Sequence, residues 1–150
     1  MRILNRKAKR DYQLLEKFEA GIVLTGGEVK SLSEGRAALD DAFVKIINTE
    51  AYLINSYIYP YEFTKDSKDD PRRLRKLLLH KKEILSIKNK IQQKRLTLIP
   101  LVLYERKRKV KLEFALAKGK QVHEKKEAIK KRDLEMELAQ EIAGNLKNKP

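Results

Sequence analysis

The sequence predicts a mainly β fold, a small antiparallel β-barrel with short helices at its margins, and three patterns predict it. Ala42, Val44 and Ile46 alternate before the turn Asn48-Thr49-Glu50, and Tyr52, Ile54, Ser56 and Ile58 alternate after it. That is the signature of a hairpin. A second pair, residues 96–103 and 110–116, flanks the charged loop Glu105-Arg106-Lys107-Arg108-Lys109. Finally, these short strands do not alternate with long helices as a parallel α/β sheet would require.

The elements follow in order. Residues 1–10 carry five Lys or Arg and no acid, so a mobile basic arm is expected. Residues 12–24 read as extended, ending in the β-prone Ile22-Val23-Leu24. Gly26-Gly27 break that run, and Glu28 to Leu32 can form a short helix, started by Glu28, that stops near Gly35. The hairpin comes next. Residues 65–71 are polar and predict a loop, in which Asp70-Pro71 suits an N-cap followed by proline at the first helical position. A helical region is then expected over 72–93, with a break near His80. Leu74, Leu77, Leu78, Ile84, Leu85, Ile87 and Ile91 form its apolar side. In the strand over 96–103, Pro100 implies an edge or a bulge. Val110, Leu112, Phe114 and Leu116 make the clearest strand.

After Gly119 the strand pattern ends. Lys118, Lys120, Lys125, Lys126, Lys130, Lys131 and Arg132 crowd the segment, and Leu134, Leu138, Ile142 and Leu146 then recur every four residues. This helical stripe has too little apolar mass to fold alone. It docks on the barrel, folds on a partner or pairs with another helix.

Charge narrows the function. Lys and Arg number 35 against 21 Asp and Glu, a net charge of +14 with pI ≈ 9.9. Such a surplus attracts polyanions through counterion release. Nucleic acid and an anionic membrane are the two candidates, and insertion into a membrane is not expected, because no apolar run approaches the roughly 20 residues of a spanning helix. The chain has no cysteine, which removes disulfides and thiolate chemistry and fits a cytoplasmic protein. Its start lacks the apolar core of a secretory signal.

No motif specifies catalysis. Gly26-Gly27 lacks the Gly-Lys-Ser/Thr of a phosphate loop, and no nucleophile elbow occurs. His80 and His123 are the two histidines, too far apart for an evident zinc site. Asp40, Asp41, Asp69 and Asp70 would be needed for a metal-dependent nuclease, although adjacent loop carboxylates usually serve turns. No catalytic residue, metal or other cofactor is expected. The basic segments say more: Arg72, Arg73, Arg75, Lys76, Lys81 and Lys82 have few acids among them, and the arm, the 106–109 loop and the tail are basic too. Cations facing several directions suit a folded RNA with more than one contact surface. Tyr12, Phe18, Tyr57, Tyr59, Tyr61, Phe63 and Tyr104 can stack bases or fill the core. From spacing alone, Glu19 reads equally as a solvated strand residue.

Ordered blocks along most of the chain resemble the SmpB family. They include Asn5-Arg6-Lys7-Ala8 with Asp11-Tyr12, Phe18-Glu19-Ala20-Gly21-Ile22, and Gly27-Glu28-Val29-Lys30-Ser31-Leu32 with Gly35. Asp70-Pro71, Arg75-Lys76-Leu77-Leu78-Leu79-His80-Lys81, Leu101-Val102-Leu103-Tyr104, Val110-Lys111, Ala117-Lys118-Gly119-Lys120 and His123 to Arg132 follow. The resemblance implies an oligonucleotide-binding-like β-barrel that is not an enzyme. It implies that the barrel binds the tRNA-like domain of transfer-messenger RNA and takes part in ribosome rescue, with elongation factor Tu as an indirect partner. The chain then divides into an RNA-binding barrel with its basic arm, residues 1–118, and a basic tail, residues 119–150, disordered when free and helical when bound.

The resemblance carries RNA contact onto Glu19, Leu78 and His80; some relatives have asparagine at the last position. Asn5, Arg6, Lys7, Lys30, Arg75, Lys76 and Lys81 complete the expected RNA-binding set. Lys118, Gly119, Lys120, His123, Lys125, Lys126, Ile129, Lys130 and Arg132 match the tail that enters the decoding centre and the empty messenger channel, against small-subunit ribosomal RNA. Gln121-Val122, Glu124 and Leu134 depart from the family pattern. A generic barrel for structured RNA, ribosomal or RNA-chaperone, is the alternative.

Overall fold

The computed structural model describes residues 1–63, 70–119 and 134–142. The chain divides into two compact units, Met1–Lys118 and Gly119–Pro150.

The first unit is built on a sheet ordered β1 (Arg2–Leu4), β8 (Thr97–Arg106), β4 (Phe43–Ile47), β5 (Glu50–Ile54), β7 (Arg75–Leu78), β2 (Tyr12–Ile22) and β9 (Lys109–Gly119), in which β8 also pairs with β9; the short β3 (Ala37–Ala38) and β6 (Tyr57–Ile58) pair separately. That extra pairing closes β8, β4, β5, β7, β2 and β9 into a ring, leaving the long β8 (Thr97–Arg106) to carry β1 (Arg2–Leu4) as well. The strand pairings for which a register is resolved are antiparallel. Closure removes exposed sheet edges.

The hairpin β4 (Phe43–Ile47) and β5 (Glu50–Ile54) turns through Asn48 and Thr49, with Asn48 at φ 59°. Asparagine tolerates that left-handed geometry better than most residues. The phase of β5 differs from the expected one. Ala51 and Leu53 face inward, while the half-exposed Tyr52 donates its hydroxyl proton to Glu50 at 2.7 Å. Ser56, which follows the strand, is fully buried for a reason given below.

β9 (Lys109–Gly119) buries Leu112, Phe114 and Leu116, as its alternation requires. Ring residues such as Val44, Leu53, Leu77, Leu103 and Phe114 share one apolar cluster with Leu32 of helix α2 (Gly26–Ser33) and Ile87 of helix α3 (Lys81–Lys94). Pro100 sits at a bulge in β8: it faces Phe114, but Val102 faces Glu113, so Leu101 is the extra residue. Proline brings no N–H to the ladder, and the bulge accommodates that loss.

Two expectations are corrected. The N-terminal arm is not loose. Ile3 is buried on β1, and Ala8, in helix α1 (Ala8–Asp11), packs with Ile99 and Ala117. The Asn5 backbone N–H donates to Leu101 O, and its Nδ2 to Pro100 O, both at 2.8 Å.

The region over 72–93 is not one helix. Arg75–Leu78 is strand β7, wedged between β5 and β2, and α3 starts after His80. Residues 75–78 alternate buried and exposed. Arg75 and Leu77 point inward, a period-2 pattern hidden by the leucine run. Asp70 accepts from the Arg72 N–H at 2.9 Å, so it caps a turn leading to a strand rather than to a helix. In α3, Ile84 and Ile87 are buried and Ile91 is partly so, whereas Leu85 is exposed.

In the second unit, residues 134–142 are helical, with Leu138 buried and Leu134 and Ile142 half-buried. Leu146 lies outside the described residues, as do Lys120, His123, Lys125, Lys126, Ile129, Lys130 and Arg132.

Candidate nucleic-acid interface

The candidate site arises where β2 (Tyr12–Ile22) pairs with β7. Ala20 and Ile22 point inward, so Glu19 and Gly21 point outward; on β7, Lys76 and Leu78 do the same. Gly21 and Leu78 are directly opposed in the ladder. A Cβ on Gly21 would lie 3.3 Å from Leu78 Cδ1, so glycine lets the leucine lie flat across β2. Leu78 nevertheless remains 56% exposed.

Glu19, Leu78 and His80 line one open groove of about 540 Å³, together with Lys76, Lys81 and Lys111 and two further carboxylates, Glu83 and Glu50, the latter paired with Lys76 at 3.1 Å. Sequence reasoning therefore selected three residues, 61 positions apart at the extremes, that the fold brings together. His80 occupies the N-cap of α3 without using its side chain as a cap, which leaves the ring for the groove. The backbone carbonyl of His80 accepts from Ile84 N at 3.1 Å, as a residue at that position should.

Glu19 is held rather than loose. Tyr104 donates its phenolic proton to Glu19 Oε2, and Arg106 Nη1 lies 3.8 Å from the same oxygen. Partial burial, and then the Glu19 charge that accepts its proton, push the Tyr104 phenol up to about 12. Tyr104 therefore stays protonated, and stays a donor, at any physiological pH. With Oε2 engaged, Oε1 of Glu19 is the natural acceptor for an incoming N–H. Sequence reasoning had counted Tyr104 as a stacking candidate and had not chosen Lys111 as a site residue. The alternation that sends Leu112 and Phe114 inward was the signal for an outward Lys111.

Other expected RNA-binding residues lie elsewhere. Arg6 and Lys30 are exposed but do not line the groove, Lys7 pairs with Asp41 at 3.6 Å, and Asn5 spends its side chain on Pro100 and on the Lys7 N–H. Lys118 is exposed and Gly119 half-buried at the end of β9.

Arg75 is corrected: it is wholly buried and cannot reach an RNA from its place in β7. Its guanidinium donates to Glu28 Oε2, to Ser56 Oγ and O, and to the Arg73 and Pro71 carbonyls, at 2.6–3.1 Å. Ser56 is buried because it answers that donor set. Glu28 Oε1 accepts from Arg73 Nη2 at 2.5 Å and from the Thr25 N–H at 2.9 Å, while Thr25 Oγ1 accepts from the Glu28 N–H at 3.2 Å. This reciprocal capping box starts α2, so Glu28 has the structural role its position suggested. Burial alone would raise the Glu28 carboxyl; Arg73, the Thr25 amide and Arg75 outweigh it and hold the group below its ordinary value. Burial in turn lowers Arg75, with Glu28 opposing.

Among the described residues, no three His, Cys, Asp or Glu side chains gather closely enough to hold a metal ion. Asp41 is paired with Lys7, Asp70 caps a turn, and Asp69 lies outside the described residues. Of the aromatic candidates, Phe18 packs against Phe114 at 5.6 Å, and Tyr57 lies edge-on to Tyr59 at 4.8 Å with Arg72 over its ring. Among the described residues, no helix is long and apolar enough to cross a membrane.

The family model described as SmpB protein matches residues 2–144. The SsrA-binding protein of Sulfurihydrogenibium sp. (strain YO3AOP1) is 52% identical over 143 residues, which cover 95% of this chain and 94% of that one. The SsrA-binding proteins of Persephonella marina and Aquifex aeolicus are 51% and 48% identical, covering 94% and 91% of their own lengths and 95% of this chain. A solved structure described as "tmRNA-SmpB: a journey to the center of the bacterial ribosome" superposes with a TM-score of 0.67. It is 46% identical and spans 81% of this chain and 85% of that one.

Proposed function

The chain belongs to the SmpB protein family, and on that premise we propose that it binds the tRNA-like domain of transfer-messenger RNA and delivers it to stalled ribosomes. It works by binding rather than by catalysis, in the cytoplasm, where its ribosomal partner resides. Elongation factor Tu meets it through the shared RNA.

One observation carries this reading. A carboxylate, an exposed leucine and a histidine from two paired strands and a helix start converge on one groove in a very basic protein. Lysines and arginines attract any phosphate backbone, whereas a carboxylate repels it. Glu19 therefore pays for its place only by accepting a hydrogen bond from a base edge, with Leu78 giving a flat apolar contact and His80 a further polar one. The unit over 119–150 acts separately. Its basic segment enters the decoding centre and the empty messenger channel, replacing the missing codon–anticodon helix.

Binding the tRNA-like domain of transfer-messenger RNA in competition with an unrelated structured RNA of equal length, at one fixed salt concentration, tests this. The expected result is a preference of at least a hundredfold. Equal affinities would instead identify a generic structured-RNA barrel. Deleting residues 119–150 should leave that preference in place and abolish peptide tagging on stalled ribosomes.

A further inference from the structure

The β8–β9 hairpin ends in the two-residue turn Lys107-Arg108, closed by the ladder pair Arg106 and Lys109. Lys107 has φ 52° and Arg108 has φ 64°, so both central residues are left-handed, as a type I′ turn demands. Such turns ordinarily use Asn-Gly, because a Cβ makes the left-handed region costly. The β4–β5 turn obeys this preference with Asn48; the β8–β9 turn puts two long cations where glycine and asparagine belong.

A second cost accompanies the first. Residues 106–109 are four consecutive cations, all exposed, crowded at one tip. Among the described residues, Arg106 is the member of this tip that meets a carboxylate, and that carboxylate is Glu19, at 3.8 Å. Backbone strain and like-charge repulsion in the same four residues both count against folding, so the tip is built for something outside the chain.

We propose that Arg106, Lys107, Arg108 and Lys109 form a phosphate grip that holds the RNA backbone next to the base read in the Glu19 groove. The proposal rests on that groove being the RNA site and extends its footprint. Arg106 joins the two parts. It sits beside Glu19 at one end and opens the turn at the other. Three residues at about 3.4 Å apiece put Lys107 roughly 10 Å beyond Tyr104, within reach of the flanking nucleotides. The partner chemistry is a run of phosphodiesters, since isolated cations on a hairpin carry charge but no base code.

The double substitution Lys107→Asn with Arg108→Gly tests the grip, because it gives the turn its preferred residues while removing two charges. The expected result has opposite signs. The melting temperature rises, while affinity for the tRNA-like RNA falls on the order of tenfold at moderate salt. The slope of log affinity against log salt shrinks by roughly 1.4 to 1.8, two contacts at about 0.7 to 0.9 each. Lys107→Gln with Arg108→Gln should repeat the slope change without the gain in melting temperature. Unchanged affinity and slope in both variants would overturn the proposal. Making the same substitutions in a Glu19→Ala protein separates the two ideas. If Glu19→Ala binds as wild type but the slope still falls, the groove is wrong and the grip stands.

Discussion

Glu19 and Glu28 lie nine residues apart in Phe18-Glu19-Ala20-Gly21-Ile22-Val23-Leu24-Thr25-Gly26-Gly27-Glu28, and the fold gives them opposite surroundings. Glu28 is 5% exposed, sits between two guanidiniums and a capped helix start, and has both oxygens engaged. Glu19 stands at the rim of an open groove, with Oε2 held by Tyr104 near Arg106. A carboxylate with every acceptor used inside the fold stabilises it. A carboxylate with one oxygen aimed by the fold keeps the other for a partner such as the RNA proposed above. The same residue type thus divides between architecture and recognition according to how many of its acceptor sites the chain itself consumes.

The contrast can be broken most forcefully at the buried end. Glu28→Gln leaves Arg75 charged, buried and without its counter-charge, and should cost about 3–5 kcal/mol in a denaturant titration. Loss of RNA binding in that variant should follow unfolding and no other cause; a stable Glu28→Gln protein would show that Ser56 and the carbonyls suffice for Arg75. The pH dependence sharpens the same point. The folded Glu28 carboxyl lies below its ordinary value, so its contribution is whole above about pH 4.5, the ordinary range. It is lost as pH falls through the lower folded value. Acid unfolding should therefore be shallower in Glu28→Gln than in wild type, and parallel acid limbs would remove Glu28 from that role.

At the exposed end the effects are smaller. Tyr104→Phe deletes one hydroxyl and should weaken RNA binding about threefold to tenfold with little change in melting temperature. Combined with Glu19→Gln it should add almost nothing, because Tyr104 acts by orienting Glu19. Full additivity in that double-mutant cycle would make Tyr104 an independent contact.

Much of this was legible from residue order, and the limits have physical causes. The β4–β5 hairpin and β9 follow from alternation, and a short helix after Leu24 was legible too, although it begins at Gly26 behind the Thr25 cap, two residues before the expected Glu28. Strand β7 was not legible: Arg-Arg-Leu-Arg-Lys-Leu-Leu-Leu has good helix formers throughout, and pairing with β5 and β2 overrides that preference. The burial of Arg75 was hidden for a related reason, since Glu28 lies 47 residues away and nothing local announces the pair. Arg75 thus read as one more surface cation. The arm misled similarly; its charges suggested mobility, but Ile3 and Ala8 anchor it. Glu19 became an expected site residue through the family resemblance, and the structure places it on the groove lined by Leu78 and His80. It is the outward partner of Gly21 on a strand whose neighbour presents Leu78.

The most direct measurement is the affinity of Glu19→Gln for the tRNA-like domain of transfer-messenger RNA over a series of salt concentrations. The substitution removes a negative charge from a protein of net charge +14, so long-range electrostatics alone predicts tighter binding. A base-reading acceptor predicts the reverse: binding weaker by about tenfold to a hundredfold, with the salt slope and melting temperature unchanged. Affinity equal to or above wild type would contradict the account.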